Sequence, residues 1–256
     1  GAFYGCMTLL QLIRKDSVTG KFTIPAVSIS DQPRFGWRGL MLDCSRTFIP
    51  VSYLKKTIDR MSFYKLNTLH LHLTDDQGWR LEIKKYPLLT QKGAFFDKKY
   101  NEPAEFQGYY TQAQMKELVK YAAERHITII PEIEFPGHNH AALYAYPEFS
   151  CTGKSTPVYP FFSGIHITSS VFCPANPKTY TFMKDVIAEV SEIFPAPYIH
   201  LGGDEVPRGV WDNCAGCKAL MDSLHLKSQH ELQGYMMNRT GNDVLSQRRR
   251  PIGWDE

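Results

Sequence analysis

The chain has 256 residues, of which 43% are hydrophobic and 21% charged, with a formal net charge of +3. Disorder needs fewer apolar groups and more net charge, and collagen-like or low-complexity chains need a biased composition, so those classes are excluded. The length suits one large α/β domain of about 250 residues, or one to two ordinary domains.

No run of about 18 apolar residues occurs, so no membrane span is expected. Gly1 to Gly5 lack a basic region, an apolar stretch and a cleavage site, so no signal peptide is visible. With no initiating Met, the natural N-terminus is expected to lie elsewhere. The small net charge argues against nucleic acid, and Arg248 to Arg250 reads as a solvated helix end. Six cysteines in a chain this long do not make a disulfide scaffold. Cys151 and Cys173 bracket a polar, Pro-rich stretch and could pair. Cys214 and Cys217 form a lone C-x-x-C with no further zinc ligand in view, so free thiols or a local disulfide are expected there.

Periodicity and punctuation divide the chain. Residues 1–13 read as a short helix with Leu9, Leu12 and Ile13 on one face, and 21–30 as a strand ended by Pro33. Leu40, Met41 and Leu42 form an apolar run that stops at Asp43. Pro50 opens a helix carried by Leu54, Ile58 and Met61. Leu66 to Leu73 is a strand stopping at Asp75 and Asp76. Thr111 and Gln114 make a capping box for a helix that buries Met115, Leu118, Val119 and Ala122. His126 to Phe135 is the next strand. Residues 178–193 form a helix with a Phe182, Val186, Val190, Ile193 stripe, and Tyr198 to Leu201 a strand ending in Gly-Gly-Asp-Glu. A helix around 229–246 leads to the run Pro251 to Trp254.

Strand and helix alternate, which predicts parallel strands joined by crossovers. A doubly wound sheet and a (β/α)8 barrel both satisfy this pattern; the lack of G-x-G-x-x-G counts against a dinucleotide-binding sheet. The polar residues are more specific. Five strands end in Asp43, in Asp75-Asp76, in Glu132 and Glu134 with His138, in Asp204-Glu205, and in Trp254-Asp255-Glu256. In a barrel those ends share one face, where active sites lie.

The bare pair Asp204-Glu205 would usually cap a helix. Among companion strand ends it suits proton donation, since adjacent carboxylates repel and one pKa rises. His138, oriented by Asp75, suits a proton relay. Trp254 could stack on a sugar face, whereas Trp79 reads as core. Arg38 could fork onto vicinal hydroxyls or pair with Asp43. His70-x-His72 with His138, His140, His200 and Asp204 could form a metal site. His70 and His72 fall inside their strand, however, so no metal and no cofactor is expected.

These residues resemble glycoside hydrolase family 20, the β-N-acetylhexosaminidases. The resemblance rests on Arg38-Gly-Leu-Met-Leu-Asp43 with Arg46, on His70-Leu-His-Leu-Thr-Asp-Asp-Gln-Gly-Trp-Arg80, on Glu132-Ile-Glu-Phe-Pro-Gly-His138, on His200-Leu-Gly-Gly-Asp-Glu205 and on Gly253-Trp-Asp-Glu256, in the family's order. It implies a (β/α)8 barrel from residue 38, here reaching only five βα units (38–256). Residues 1–37 would be the tail of a small α/β domain. The implied activity is retaining, substrate-assisted removal of terminal N-acetylglucosamine or N-acetylgalactosamine. Glu205 would be the acid and base and Asp204 would hold the acetamido N–H. Arg38 would bind hydroxyls, Asp75 and His138 would form a relay, and Trp254 would line the acetamido pocket. Glu134 stands where relatives often carry Asp. The later strands and their site residues cannot be assigned, so the chain is expected to be an incomplete fragment with little activity alone. The alternative is a non-catalytic sugar-binding protein of the same fold. The implied partner is a glycan and the implied location is extracellular, periplasmic or lysosomal.

Overall fold

The computed structural model describes residues 1–164 and 170–255. Residues 165–169 of the polar loop, and Glu256 of the last motif, lie outside the described residues.

Helix α1 (Ala2–Leu12) and a two-stranded ribbon of β1 (Arg14–Lys15) and β2 (Phe22–Thr23) lead the chain. The expected strand over 21–30 reduces to β2. Pro25 offers no N–H, and Ile24, Val27 and Ile29 stand half-exposed with no neighbouring strand among the described residues. Nothing in α1 is fully buried, so its Leu9 face has no core behind it.

Five parallel strands follow: β3 (Gly39–Asp43), β4 (Thr68–His72), β7 (Thr128–Glu132), β8 (Tyr198–His200) and β9 (Arg250–Ile252). A short antiparallel hairpin, β5 (Thr74–Asp75) and β6 (Gly78–Trp79), follows β4 directly. The parallel strands lie in the sheet in chain order, without the reversal that defines a doubly wound sheet. That order is the one a barrel uses.

The crossovers are helical. Pro50 caps α2 (Val51–Phe63) without losing a bond, because a helix's first N–H groups have no internal partner. The short α3 (Leu88–Gln91) sits in the loop before α4 (Gln112–Ala123), where the Thr111–Gln114 capping box forms in full. After β7 come α5 (His140–Ala145) and α6 (Pro177–Ile193), whose expected stripe is buried throughout. Then α7 (Ala215–Ser223), a helix not expected from the sequence pattern, precedes α8 (Gln229–Ser246). The core joins Leu54, Ile58 and Met61 of α2 to Leu69 and Leu71 of β4 and to the α6 stripe. Each such side chain contributes roughly 1.5–3 kcal/mol on burial. Trp79 belongs to this core, its indole N–H bonded to the Leu81 carbonyl at 2.7 Å.

Because all five strands run the same way, their C-terminal ends meet at one edge of the sheet. Asp43, the β5–β6 hairpin, Pro136-Gly-His138, Gly202 to Glu205 and Trp254 all emerge there.

Candidate active site

Two glycines build the turn after β8. Gly202 (φ 65°) and Gly203 (φ 99°) both take left-handed conformations. A Cβ on Gly202 would collide with the Glu134 carboxylate, so the backbone can cross here only because the side chain is absent. Glu205 also has a positive φ, 50°, unusual for a residue with a side chain. The result separates two adjacent carboxylates. Asp204 is 20% exposed and Glu205 is 70% exposed. Oδ1 of Asp204 is buried with no hydrogen-bond partner.

His138 joins this pair to the β5–β6 hairpin. The Pro136-Gly137 turn packs on residues 204–206; a Cβ on Gly137 would lie 3.3 Å from the Asp204 carbonyl oxygen. His138 Nε2 is 3.4 Å from Glu205 Oε2 and 3.7 Å from Asp204 Oδ2. Its Nδ1 is 3.3 Å from Asp75 Oδ1 and 3.7 Å from Asp76 Oδ2. Burial favours the neutral ring, but Asp75 and Asp76 outweigh it and push His138 up to about 11. Asp75 is buried too, which alone would raise it. Contacts with His138, His72 and Arg46 hold it below the usual carboxylate range.

Beneath lies a second layer of ion pairs. Arg46 places Nη2 2.9 Å from Asp75 and Nη1 3.0 Å from Asp43. His72 Nε2 is 3.3 Å from both Asp75 and Glu134. Burial pushes Glu134 up to about 8; His72 rises to about 9 because the surrounding carboxylates overcome its own burial. Glu132 and Asp204 add to the rise of Glu134, so both groups favour their protonated forms. Alongside, Glu132 lies between His70 (2.8 Å) and His200 (3.0 Å) and accepts the Trp254 indole N–H at 2.9 Å. Burial would raise Glu132, but the two imidazoles hold it well below the usual range.

Asp204, Glu205, His138 and Asp75 are therefore brought together as expected. Trp254 joins them, its backbone N–H bonded to the Gly202 carbonyl and its ring 4.7 Å from that of His200. Two expectations fail. Arg38 precedes β3 and sits at the opposite end of the sheet. Its guanidinium bonds the carbonyls of Lys65 and Phe35 and lies over the Tyr4 ring, so no sugar at the strand ends can reach it. The Arg38→Ala variant is expected to lose about 1–3 kcal/mol of stability through those bonds, with KM unchanged. A KM raised tenfold at unchanged melting temperature would return Arg38 to the site. Glu134 is 1% exposed and covered by Gly202, so it supports His72 rather than touching a ligand.

Arg46, Glu132, His70, His72 and His200 stand in the motifs or among the metal candidates, but the sequence assigns none of them a place in the sugar site. Arg46 carried a visible signal, three residues beyond Asp43 at a strand's exit. His70 and His72 share a strand face by the period of two, and Glu132 and Glu134 alternate likewise on the neighbouring strand. Only the register, His72 opposite Glu132 and Glu132 opposite His200, shows that these faces meet.

Residues 35–256 match the family described as Glycosyl hydrolase family 20, catalytic domain.

The chain belongs to glycosyl hydrolase family 20.

Across the whole chain it is 42% identical to a beta-hexosaminidase of Porphyromonas gingivalis, covering 33% of that protein. It is 41% identical to a beta-hexosaminidase of Vibrio furnissii, covering 42% of it. Among solved structures, the beta-N-acetylhexosaminidase of Bacteroides fragilis superposes with a TM-score of 0.87 at 40% identity, over 99% of this chain and 48% of that one. A GH20 exo beta-N-acetylglucosaminidase of Vibrio harveyi, solved with N-acetylglucosamine, also gives 0.87, at 38% identity over 99% of this chain and 40% of that one. This family-20 chain thus spans a third to a half of the length of these relatives. No helix among its described residues is long and apolar enough to cross a membrane.

Proposed function

We propose that the protein carrying this chain removes terminal non-reducing N-acetyl-β-D-hexosamine residues, with retention of configuration and with the substrate's own acetamido group as nucleophile. One observation carries the reading. Asp204 and Glu205 are neighbours on one turn, sharing His138, rather than facing each other across a bond. A retaining glycosidase with a protein nucleophile needs its two carboxyls on opposite sides, about 5–5.5 Å apart; substrate-assisted family 20 is a known exception to that scheme. Two adjacent carboxylates suit a reaction in which only one moves a proton.

In this mechanism Glu205, the exposed member, gives its proton to the glycosidic oxygen as the C1–O bond breaks. The acetamido oxygen attacks C1 from the other face and forms an oxazolinium ion. Asp204 accepts the acetamido N–H at its partnerless Oδ1 and stabilises the positive charge that develops. Water then opens the ring at C1 while Glu205 takes its proton, and two inversions give net retention. His138, held charged by Asp75, steadies the Glu205 carboxylate between the steps. Trp254, fixed by Glu132, would form a wall of the acetamido pocket. The hydroxyl-binding role passes from Arg38 to Arg46, which stands at the strand exit with Nε still unpartnered.

The architecture we propose is the first five βα units of a (β/α)8 barrel over 38–256, with 1–37 the end of a preceding small domain. Exposure of Gly39 to Met41 on β3 and of Arg250 and Pro251 on β9, the two outer strands, supports closure by further strands.

The test uses the protein as its source produces it. Aryl 2-acetamido-2-deoxy-β-D-glucoside or galactoside should be cleaved, the first-formed sugar should be the β-anomer, and the matching 2-hydroxy glycoside should resist cleavage. Binding of N-acetylhexosamine without turnover would favour the non-catalytic reading, and equal cleavage of the 2-hydroxy glycoside would refute substrate assistance.

A further inference from the structure

In the loops that follow β7 and β8, four cysteines from three separate segments converge. Cys151 follows the turn at Pro147–Phe149, Cys173 precedes α6, and Cys214 and Cys217 open α7. By sequence alone the C-x-x-C stands isolated, and Cys151 could pair with Cys173. The fold instead brings all four thiols within 4.8 Å of one another.

Their spacing is informative. Cys151 and Cys217 sulfurs are 3.6 Å apart, Cys173 and Cys217 3.7 Å, and Cys173 and Cys214 4.0 Å. A disulfide requires about 2.05 Å. Four thiolates around zinc at about 2.3 Å form a tetrahedron with edges of about 3.8 Å. The three separations straddle that edge. Four sulfurs in mutual contact, none bonded to another, are otherwise a poor way to fill a core.

The surroundings fit a bound cation as well. Two of the four, Cys173 and Cys217, are buried and the other two half-buried, so the sulfurs face one another and not solvent. The backbones are already fixed: the Cys173 N–H bonds the Phe149 carbonyl, and the Cys214 N–H bonds that of Trp211. Gly216, between the paired cysteines, leaves room for Ala175; a Cβ there would approach it to 3.1 Å.

We propose that Cys151, Cys173, Cys214 and Cys217 form a structural tetrathiolate zinc site. Binding replaces four thiol protons by one Zn²⁺, giving a closed site of net charge −2 with no open coordination position for catalysis. Its role is to staple the loop after β7 to the loop after β8. The second of these begins with Gly202 to Glu205, so the ion holds the far end of the segment that carries the carboxylates. Trp211, on that segment, already donates to the Phe172 carbonyl at 3.1 Å, and the metal would lock the same junction. The inference does not depend on the hydrolase reading.

The test is elemental analysis of the intact protein after dialysis against a weak chelator. One zinc per chain is expected. The four thiols should resist alkylation until a strong chelator is added, and the melting temperature should then fall by several degrees. Exchange with Co²⁺ should give the intense near-ultraviolet sulfur-to-cobalt charge transfer of a tetrahedral tetrathiolate. Cys217→Ser should lose the metal, Cys214→His should keep it, and Cys6→Ser, at an exposed position on α1, should not affect it. If Cys217→Ser does not fold, the wild-type zinc content and cobalt spectrum decide alone. A metal-free protein whose four thiols alkylate freely would overturn the site, as would an intact mass four hydrogens light from two disulfides.

Discussion

Replacing Glu205 by Gln is expected to lower kcat/KM about 10²- to 10⁴-fold on natural glycosides, the usual worth of a general acid and base. The loss should be smaller on aryl glycosides whose leaving group departs without a proton, because their first step needs no acid and only the base of the second step is missing. KM and melting temperature should hardly move. The side chain is 70% exposed and Gln keeps its shape, so little packing is disturbed. Kinetics on both substrate types, alongside a thermal melt, make the check. Undiminished turnover of the natural substrate would remove Glu205 from the proposed mechanism.

Asp75→Asn should cost about 10²-fold in kcat, the scale expected when a catalytic group loses its orientation. Asp75 is buried and meets His138, His72 and Arg46 at once, so removing its charge alters all three. The distinguishing readout is the pH profile. Asp75 is the main support for the raised His138, which stands near 11 against an ordinary 6.5. Without it, His138 should lose its proton at lower pH. The alkaline fall in kcat should then move down toward neutrality, while Asp75→Glu should restore part of the original limb. A purely structural Asp75 would lower kcat or stability and leave the limb in place.

The two experiments probe different layers. In the proposed mechanism Glu205 acts on the substrate from an exposed turn. Asp75 would work through His138, which it contacts from within a buried cluster of ion pairs. Such clusters are costly to bury unless every charge is paired, which is why single substitutions there should act at a distance. Oδ1 of Asp204 is a buried acceptor without a partner on the turn after β8, and the proposed acetamido N–H would satisfy it.

Local pattern was enough for much of the frame. The Thr111–Gln114 capping box, Pro50 before α2 and the α6 stripe are all properties of neighbouring residues, and all appear in the structure. The acids that end successive strands are local too, and they led to Asp204, Glu205, His138 and Asp75. Where several chain segments meet was not legible. Arg38 and Arg46 flank the same strand, and either could have been the arginine of the site. Strand direction decides it, because only the exit end of β3 faces the other exits. Glu134 alternates with Glu132 as a strand residue should, yet only the Gly202 crossing shows that it is covered. The four cysteines make the same point most sharply. Their positions span residues 151 to 217, and no local rule relates a thiol before α6 to a C-x-x-C at α7. Sequence period sets which face a side chain takes; the packing of crossovers onto the sheet decides which faces meet, and that depends on contacts far apart in the chain.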